Sequence, residues 1–536
     1  MKKVLPALAL LFLLIAKSFA QSNSETMPAL VEKDGRHTLM VDGKPFFILG
    51  GQAHNSSAWP GMLPQLWSAV ETMHANTLEV PLYWEQVEPQ TGIFDFSIVD
   101  TLLNQARAHN AHLVLLWFGT WKNGSNHYMP EWMKNQPAKY PNITGVNGQP
   151  VDSPSPHIKA TLDADVKAFT AVMRYLKKAD GRHTVIMIQV ENEAGSWGSV
   201  RDFSATAQKL FDGPVPAALL QPSVLKALNV PIVSEGTWKK VFGDRADEYF
   251  HAWSIASFVG QVAAAGKAEY PLPMYANAAL RDPLTNPTAN NYESGGPTDN
   301  VIPIWKIAAP AIDIVAPDIY LPGSETILKV IDLYDQPDNA LFVPEAALSA
   351  DRAKYLYEVI ARGGIGFSPF GIDANGEVET PVQTSERLGP FAKDYMMAAP
   401  MIKELAEWAG AGKIKAVIER EDHAEQTVDL GAWKAIVSFG TGARTITSVN
   451  PDAGGKLMII KLSENKFILI GALCHITFQP MGSNQGKAWQ YLKVEEGHYE
   501  NGKFNRLRIL NGDETDFGGP RFGPVPTVLQ TELIVR

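Results

Sequence analysis

The feature that most constrains the fold of this chain is a regular alternation of apolar, strand-like runs with amphipathic helical segments over roughly 360 residues. Short apolar runs bounded by turn residues are typical of buried strands, and the segments between them carry apolar residues at helical spacing. The strand-like runs are residues 46–51, 77–82, 113–118, 184–190, 231–234, 273–276, 312–318, 340–345 and 364–368. Strands that alternate with helices form a parallel sheet, because each helix returns the chain to the start of the next strand.

Most of these runs are apolar throughout rather than at every second position, which predicts a sheet that is covered on both faces. The pattern and its length fit the α/β class, as a (β/α)8 TIM barrel over about residues 30–408. An open, doubly wound sheet is the alternative. Nine runs for eight barrel positions leave one over, and residues 231–234 are expected to lie outside the barrel.

The pattern changes after a helix that ends near Trp408. The sequence Ala-Gly-Ala-Gly at 409–412 has the composition of a linker, and short β-type runs follow at 415–418, 433–439, 456–462 and 466–473. Asn501-Gly502 is a strong signal for a hairpin turn. Residues 413–536 are therefore predicted to form an all-β, sandwich-like domain, which is expected to pack against the barrel.

Residues 1–20 have the pattern of a secretory signal peptide. Two lysines precede a short apolar stretch, and the small-x-small site Ser18-Phe19-Ala20 comes before polar residues. The expected location is the periplasm or the outside of the cell, with no membrane span once the signal is removed. Cys474 is the single cysteine, so no intramolecular disulfide is expected in that compartment.

The charge of the chain argues against a nucleic-acid partner. The formal net charge is −10 at pH 7, and the sequence has no basic block. A protein that binds a phosphate backbone carries the opposite charge. The sequence leaves open whether the chain forms a homo-oligomer.

In a barrel of this type the active site lies at the C-terminal ends of the strands, so the polar residues that follow the apolar runs are informative. They are carboxylates, amides and aromatics, with neither a glycine-rich phosphate loop nor a cluster of His or Cys, so neither a cofactor nor a metal is expected. Amides and carboxylates bind hydroxyl groups, and aromatic faces stack on the C–H surfaces of sugars, which indicates a carbohydrate partner. The candidate site residues are His54, Asn55, Tyr83, Glu85, Trp117, Asn192, Glu193, Trp197, Asn277, Tyr320 and Glu345.

Glycoside hydrolysis needs two carboxyl groups on opposite sides of the anomeric carbon. One protonates the leaving oxygen, and the other attacks the anomeric carbon or activates a water molecule. Glu193 and Glu345 are the preferred pair, because each ends an apolar run, and Glu85, Glu191 and Asp318 are further candidates near the rim.

The neighbours of Glu193 constrain how it can be presented. Alternate residues of a strand face opposite sides, so Glu191 and Glu193 share a face and Asn192 lies on the other. A binding role for Asn192 therefore requires a bulge or bend at the strand end. Glu191 is expected to anchor the site through hydrogen bonds. Asp163 and Asp165 open a helix and are expected to cap it rather than bind a metal.

The run Ile-Gln-Val-Glu-Asn-Glu-Ala-Gly at 188–195 closely resembles the acid/base motif of glycoside hydrolase family 35, the β-galactosidases. Leu-Phe-Val-Pro-Glu at 341–345 resembles the end of that family's seventh barrel strand, and residues 80–96 resemble its second-strand motif. The likeness covers most of residues 37–400. Typical members have Ser-Gly-x-x-His-Tyr at strand one and often Tyr after the acid/base Glu, where this chain has Gly-Gly-Gln-Ala-His-Asn at 50–55 and Ala194.

The resemblance implies a retaining mechanism in which Glu193 is the general acid/base, Glu345 is the nucleophile, and Asn192 binds the 2-hydroxyl of the sugar. With one β domain after the barrel, the chain looks like a bacterial subgroup of that family. The subgroup includes exo-acting enzymes that trim terminal β-galactose from oligosaccharides or plant hemicelluloses such as xyloglucan.

Other functions fit the sequence less well. The catalytic alternative is a related barrel hydrolase that acts on β-glucosides, β-xylosides or the interior of a polymer. A non-catalytic carbohydrate-binding protein would have the same aromatic residues but would not need both Glu193 and Glu345. A metal hydrolase would carry H-E-x-x-H, which is absent. A serine esterase would carry G-x-S-x-G, and Gly-Phe-Ser-Pro-Phe at 366–370 lacks the final glycine.

Overall fold

The structure is a computed structural model that describes residues 26–440 and 454–536. The described chain begins with a three-stranded antiparallel sheet of β1 (Ala29–Lys33), β2 (Arg36–Val41) and β3 (Lys44–Phe46). The expected signal peptide, residues 1–20, lies outside the described residues.

Eight parallel strands then close into a barrel. They are β4 (Ile48–Gln52), β5 (Thr77–Tyr83) and β6 (His112–Lys122), then, after a hairpin of β7 (Asn142–Thr144) and β8 (Pro150–Pro154), β9 (Val185–Asn192), β10 (Met274–Ala279), β11 (Ile314–Ile319), β12 (Phe342–Ala346) and β13 (Gly366–Pro369). β13 pairs with β4, which closes the ring. The predicted barrel is confirmed, the doubly wound sheet is excluded, and residues 231–234 form no strand.

Helices connect the barrel strands and cover the outside of the barrel. They are α1 (Leu63–Met73), α2 (Trp84–Val87), α3 (Ser97–Ala108), α4 (Glu131–Lys134), α5 (Lys159–Ala179), α6 (Ala205–Phe211), α7 (Pro222–Ala227), α8 (Trp238–Phe242), α9 (Ala246–Glu269), α10 (Ile302–Ala308), α11 (Ser324–Tyr334), α12 (Ala350–Ala353), α13 (Tyr355–Arg362), α14 (Pro381–Ala398) and α15 (Ile402–Gly410); α16 (Asp513–Asp516) comes later. Every residue of β4, β5, β9 and β12 is buried, which explains why the strands are apolar throughout. None of the helices in the described residues is long and apolar enough to cross a membrane.

The remaining strands form two antiparallel sheets. One has six strands, in the spatial order β14 (Ile414–Ile418), β17 (Lys456–Lys461), β18 (Lys466–Ala472), β23 (Thr527–Val535), β20 (Trp489–Glu500) and β21 (Lys503–Ile509). The other has four, in the order β15 (Gln426–Asp429), β16 (Trp433–Phe439), β19 (Cys474–Pro480) and β22 (Arg521–Phe522). Asn501 and Gly502 both have positive φ and join β20 to β21, as the hairpin signal predicts.

The six-stranded sheet is a middle layer with both faces covered. Met458 and Ile460 of β17 belong to the same apolar core as the barrel, whereas Leu457 and Ile459 pack in a second core with Trp433 of the four-stranded sheet. Alternate residues of one strand therefore serve two cores. This arrangement explains why the sequence of β17 is apolar on both faces, and it packs the sandwich against the barrel as expected.

Candidate active site

Three carboxyl groups converge at the C-terminal end of the barrel. Glu193 directly follows β9, the fourth barrel strand, while Asp318 and Glu345 lie near the ends of β11 and β12, the sixth and seventh. One carboxylate oxygen from each lies within 4.8 Å of the others. The structure thus brings together the two carboxylates chosen from the sequence. It adds Asp318, a rim candidate in the sequence, to the same group.

The turn that presents Glu193 departs from regular strand geometry. The register between β6 and β9 shifts after the pair Trp117–Val190, and Glu191 and Glu193 both adopt left-handed backbone angles, with φ of 63° and 44°. The bend that the sequence required is therefore present. Such conformations cost about 1–3 kcal/mol each for residues other than glycine, and they persist only where the surroundings hold them. Here the carbonyl of Glu193 accepts a hydrogen bond from the N–H of Gly124 at 3.0 Å.

Asn277, at the fifth strand, fixes Glu193 relative to Asp318. Its side-chain oxygen accepts a hydrogen bond from the backbone N–H of Glu193 at 3.0 Å, and its amide nitrogen donates to Asp318 at 2.6 Å. The side chain is buried. Asn277 was predicted to bind substrate, whereas these contacts make it a positioning residue for two of the three carboxyl groups.

Glu345 is held by Tyr320. The tyrosine hydroxyl donates a hydrogen bond to Oε1 of Glu345 at 2.6 Å. Burial, with the charge of Glu345 as a further cause, raises the pKa of Tyr320, so the tyrosine stays a donor. Within the described residues, Oε2 of Glu345 is buried without a hydrogen-bond partner. One oxygen of the carboxylate is thus oriented and the other is left available.

The crowding of these carboxyl groups changes their acidity. Burial, followed by the charge of Glu345, raises the pKa of Glu193 to about 7. Burial and the charges of Glu345 and Glu193 raise the pKa of Asp318 well above its usual range, and a hydrogen bond between Asp318 and Glu193 favours the proton on Asp318. Near neutral pH the group therefore retains protons rather than carrying a full set of negative charges.

Two ionisable residues that were not predicted from the sequence adjoin this group. Lys122, buried at the end of β6, is the positive charge that opposes the rise in the pKa of Glu193. Glu293 is also buried, and burial together with the charge of Glu193 raises its pKa well above the usual range. A Cβ atom at Gly124 would come within 2.2 Å of the Glu293 carboxylate and one at Gly195 within 2.6 Å of its Cγ, so both positions require glycine.

A buried pair of acidic residues lies behind the site. Glu191 accepts a hydrogen bond from the N–H of Trp121 at 2.7 Å. Burial, and next the charge of Asp165, raises the pKa of Glu191 well above its usual range, and Glu191 hydrogen-bonds to Asp165 as the protonated partner. These two contacts, with Trp121 and Asp165, are the hydrogen bonds through which Glu191 was predicted to anchor the site. The predicted capping role of Asp165 is wrong, because α5 begins at Lys159 and places Asp165 in its buried interior.

Trp117 does not face the carboxyl group, contrary to its predicted role in substrate binding. Its indole N–H donates to Asp165 of α5 at 2.9 Å, and its ring packs against Phe169 of the same helix. The side chain therefore lies between the barrel and its outer helices. A strand that is apolar on both faces does not reveal in its sequence which residues point inward.

Asn192 and Trp197 flank Glu193. Asn192 is buried, and neither the oxygen nor the nitrogen of its side-chain amide has a hydrogen-bond partner in the parts of the chain that the structure describes. Buried amides are normally hydrogen-bonded, so this one is available to a ligand. Trp197 is 51% exposed on the loop that follows β9.

The remaining predicted residues lie at the ends of the first two barrel strands. His54 is half-buried and hydrogen-bonds to Asp373 at 3.1 Å. The carbonyl of Asn55 accepts a hydrogen bond from a tyrosine hydroxyl, and the ring of Tyr83 is buried. Glu85 lies farther out, in an ion pair of 3.5 Å with Lys134. None of these four has a hydrogen bond to Glu193, Asp318 or Glu345 among the described contacts.

The group of Glu193, Asp318 and Glu345 also brings donor atoms close enough to hold a metal ion. A set of carboxylates alone suits hard cations such as Mg²⁺ or Ca²⁺. The sequence predicted no metal, whereas the geometry admits one. A chelator control therefore belongs in any assay of this site.

Comparisons with known proteins match two segments of the chain. Residues 63–229 match the family model of glycoside hydrolase family 42, described as "Beta-galactosidase", and residues 391–519 match a "Domain of unknown function (DUF5597)". A "Beta-galactosidase" of Xanthomonas manihotis is 26% identical over 177 residues, which cover 32% of this chain and 27% of that protein. The chain thus matches about a quarter of the length of this relative.

Solved structures of two β-galactosidases resemble the chain at lower identity. The β-galactosidase from Bacillus circulans sp. alkalophilus is 14% identical, with a TM-score of 0.48. The match covers 66% of this chain and 56% of the Bacillus chain. The β-galactosidase from the psychrophilic Marinomonas ef1 is 12% identical, with a TM-score of 0.48. The match covers 67% of this chain and 61% of the Marinomonas chain.

The matched segments make part of the chain similar to β-galactosidases, and the likeness is to family 42. The resemblance to family 35 is therefore corrected. The segment that matches family 42 includes Asn192 and Glu193.

The acidic pair behind the site can be tested with two substitutions at one position. Glu191→Gln should leave stability and activity nearly unchanged, because the amide still donates to Asp165 and accepts from the N–H of Trp121. Glu191→Ala should lower the free energy of unfolding by about 2–4 kcal/mol, since it leaves a cavity and takes the hydrogen-bond acceptor from the N–H of Trp121. It should also lower kcat by about 10- to 100-fold through displacement of Glu193. Denaturant unfolding and steady-state kinetics measure both. Equal losses in the two variants would mean that Glu191 is needed as an ionised carboxylate.

Proposed function

We propose that the chain is a retaining, exo-acting β-galactosidase that removes terminal β-galactose from oligosaccharides or from side chains of plant hemicelluloses such as xyloglucan. The observation that carries the proposal is the close pair of Glu193 and Glu345 at the C-terminal end of a β-galactosidase-like barrel. The two carboxyl groups lie about 5–5.5 Å apart in retaining glycosidases and about 6.5–9.5 Å apart in inverting ones. A distance of at most 4.8 Å between one oxygen of each supports retention.

The reaction would take place in two displacements. Glu345 attacks the anomeric carbon as a carboxylate, while Glu193 gives its proton to the oxygen of the leaving group. This step breaks the glycosidic bond and forms a glycosyl ester on Glu345. Glu193 then takes a proton from water, which attacks the anomeric carbon, releases Glu345 and restores the original configuration. The hydrogen bond from Tyr320 orients Glu345 for attack.

The proton on Glu193 follows the charge on Glu345. In the free enzyme the negative charge of Glu345 is one of the causes that raise the pKa of Glu193 to about 7. Once Glu345 is an ester that charge is gone, so the pKa of Glu193 falls and the same group becomes a base. The reversal of roles that retention requires is therefore supported by the electrostatics of the pair.

Asn192 is the proposed ligand of the sugar's 2-hydroxyl. Its amide adjoins Glu193 in the chain, is buried and has no partner among the described residues. Hydrogen bonds to the 2-hydroxyl strengthen in the transition state of glycoside hydrolysis. The apolar N-terminal stretch supports a periplasmic or secreted location for this activity.

Specificity can be measured with a panel of p-nitrophenyl β-glycosides and with a xyloglucan oligosaccharide. The β-galactoside should be cleaved faster than the β-glucoside and β-xyloside, and the oligosaccharide should yield free galactose. Glu345→Ala should abolish each activity, and a chelator should change none of them, since the proposed steps need no metal. Release of internal fragments without free galactose would contradict exo-action. Loss of activity with the chelator would contradict the roles assigned to Glu193 and Glu345.

Glu193 should set the alkaline limb of the pH profile. Its pKa of about 7 means that the proton needed by the leaving group is lost as pH rises through that value, so kcat/KM should fall above about pH 7. Lys122→Gln should move this limb to higher pH, because the charge of Lys122 lowers the pKa of Glu193. Lys134→Gln removes a lysine from the rim and should leave the limb in place. A shift to lower pH in Lys122→Gln, or the same shift in both variants, would contradict this role.

A further inference from the structure

Trp59 is an exposed aromatic residue on a loop that is otherwise tightly held. It lies between β4 and α1, and 44% of its surface is exposed. The loop begins at the C-terminal end of β4, so it lies at the same end of the barrel as Glu193 and Glu345. Trp59 is not among the candidate site residues predicted from the sequence.

The ring of Trp59 is supported from behind by two further rings. It stacks on Tyr83 with ring centroids 5.9 Å apart and an angle of 27°, and Tyr83 stacks on Tyr128 at 4.8 Å and 16°. Tyr83 is fully buried, and Tyr128 packs in turn against Phe118 of β6. This three-ring stack, Trp59–Tyr83–Tyr128, leads from the barrel to the surface.

Hydrogen bonds hold the loop on which Trp59 lies. The hydroxyl of Tyr83 accepts from the N–H of Ala58 at 3.0 Å, and the hydroxyl of Tyr128 donates to the carbonyl of Asn55 at 3.1 Å. Ser57 donates to the buried Asp373 at 2.6 Å. A ligand that stacks on a ring fixed in this way loses little free energy to ordering of the protein.

The position of the three-ring stack relative to Glu345 indicates which part of the substrate would contact Trp59. The barrel strands follow one another in the order β12, β13, β4 and β5. Glu345 lies on β12 and Tyr83 lies on β5, and the loop with Trp59 follows β4 between them. The proposed site of the terminal sugar is inside, at Glu193, Glu345 and the buried Asn192, so a ring at the rim would meet the part of the substrate beyond the cleaved bond. The carboxylates near Tyr83, Asp373 and Glu85, are each paired, with His54 and with Lys134, so these residues offer no unbalanced charge to an ionic ligand and suit a neutral sugar.

We propose that Trp59 is the platform of a second sugar subsite, on which a neutral pyranose of the leaving group stacks. The inference rests on the proposed function and extends it: the preferred substrates are galactosides whose leaving group is itself a saccharide. The flat C–H face of a pyranose matches an exposed indole, and the rigid stack behind that indole provides orientation without a charged contact.

The test compares two substrates with the same terminal sugar, methyl β-galactoside and a xyloglucan oligosaccharide that ends in β-galactose. Trp59→Ala should lower kcat/KM for the oligosaccharide about 3- to 10-fold and leave that for methyl β-galactoside within about twofold. Trp59→Phe should recover part of the loss. Phe517→Ala removes an aromatic of nearly the same exposure, 43%, from the C-terminal sandwich, and should change neither value. An equal loss on both substrates, no loss on either, or the same loss in Phe517→Ala would overturn the proposal.

A binding arm separates this inference from the proposed function. If the wild-type protein cleaves neither galactoside, the proposed function fails, and titration calorimetry of the wild-type protein with the same oligosaccharide decides the subsite by itself. Affinity that falls about 3- to 10-fold in Trp59→Ala would uphold the platform. Affinity independent of Trp59, or no binding at all, would overturn it.

Discussion

Repulsion among closely spaced carboxyl groups is the constraint on which the rest of the site depends. Glu193, Asp318 and Glu345 lie within 4.8 Å of one another, and Glu293 adds a fourth acid whose pKa is raised in part by Glu193. Burial makes each charge costly, and proximity makes several charges together costlier still. The group is tolerable because Lys122 offsets part of the charge and because some carboxyls keep their protons. The same compromise leaves Glu193 with a pKa near neutrality, the property that an acid catalyst needs.

The structure holds this unfavourable arrangement from several directions. The left-handed turn at Glu191 and Glu193 is held by two hydrogen bonds. One runs from the backbone N–H of Glu193 to the side-chain oxygen of Asn277, and the other from the protonated carboxyl of Glu191 to Asp165. That contact ties the fourth strand to α5, outside the barrel. Strain at the strand end is thus compensated by hydrogen bonds in the layer behind it, as is usual where an active site stores conformational strain.

The sequence was sufficient to predict the barrel and the two carboxylates, because both follow from local rules. Apolar runs separated by helices require a parallel sheet, and the polar residues after those runs must meet at one end. Glu293 escaped prediction because an irregular loop brings it to the site, and no periodic pattern marks that loop. Asp165 resembled a helix cap because a buried aspartate within a helix has no local signature. Trp117 was misplaced because a strand buried on both faces gives no sign of which side is inward.

The most direct test of the account is the product formed when azide rescues the two glutamate variants on an aryl β-galactoside. Glu193→Ala should retain the first step with a good leaving group, and azide should accelerate the second step and yield the β-galactosyl azide. That product has the retained configuration, because azide would attack the glycosyl ester on Glu345. Glu345→Ala should yield only α-galactosyl azide, if any, since azide would replace the nucleophile directly. Formation of the α-azide from Glu193→Ala and the β-azide from Glu345→Ala would contradict the roles assigned to the two carboxyl groups.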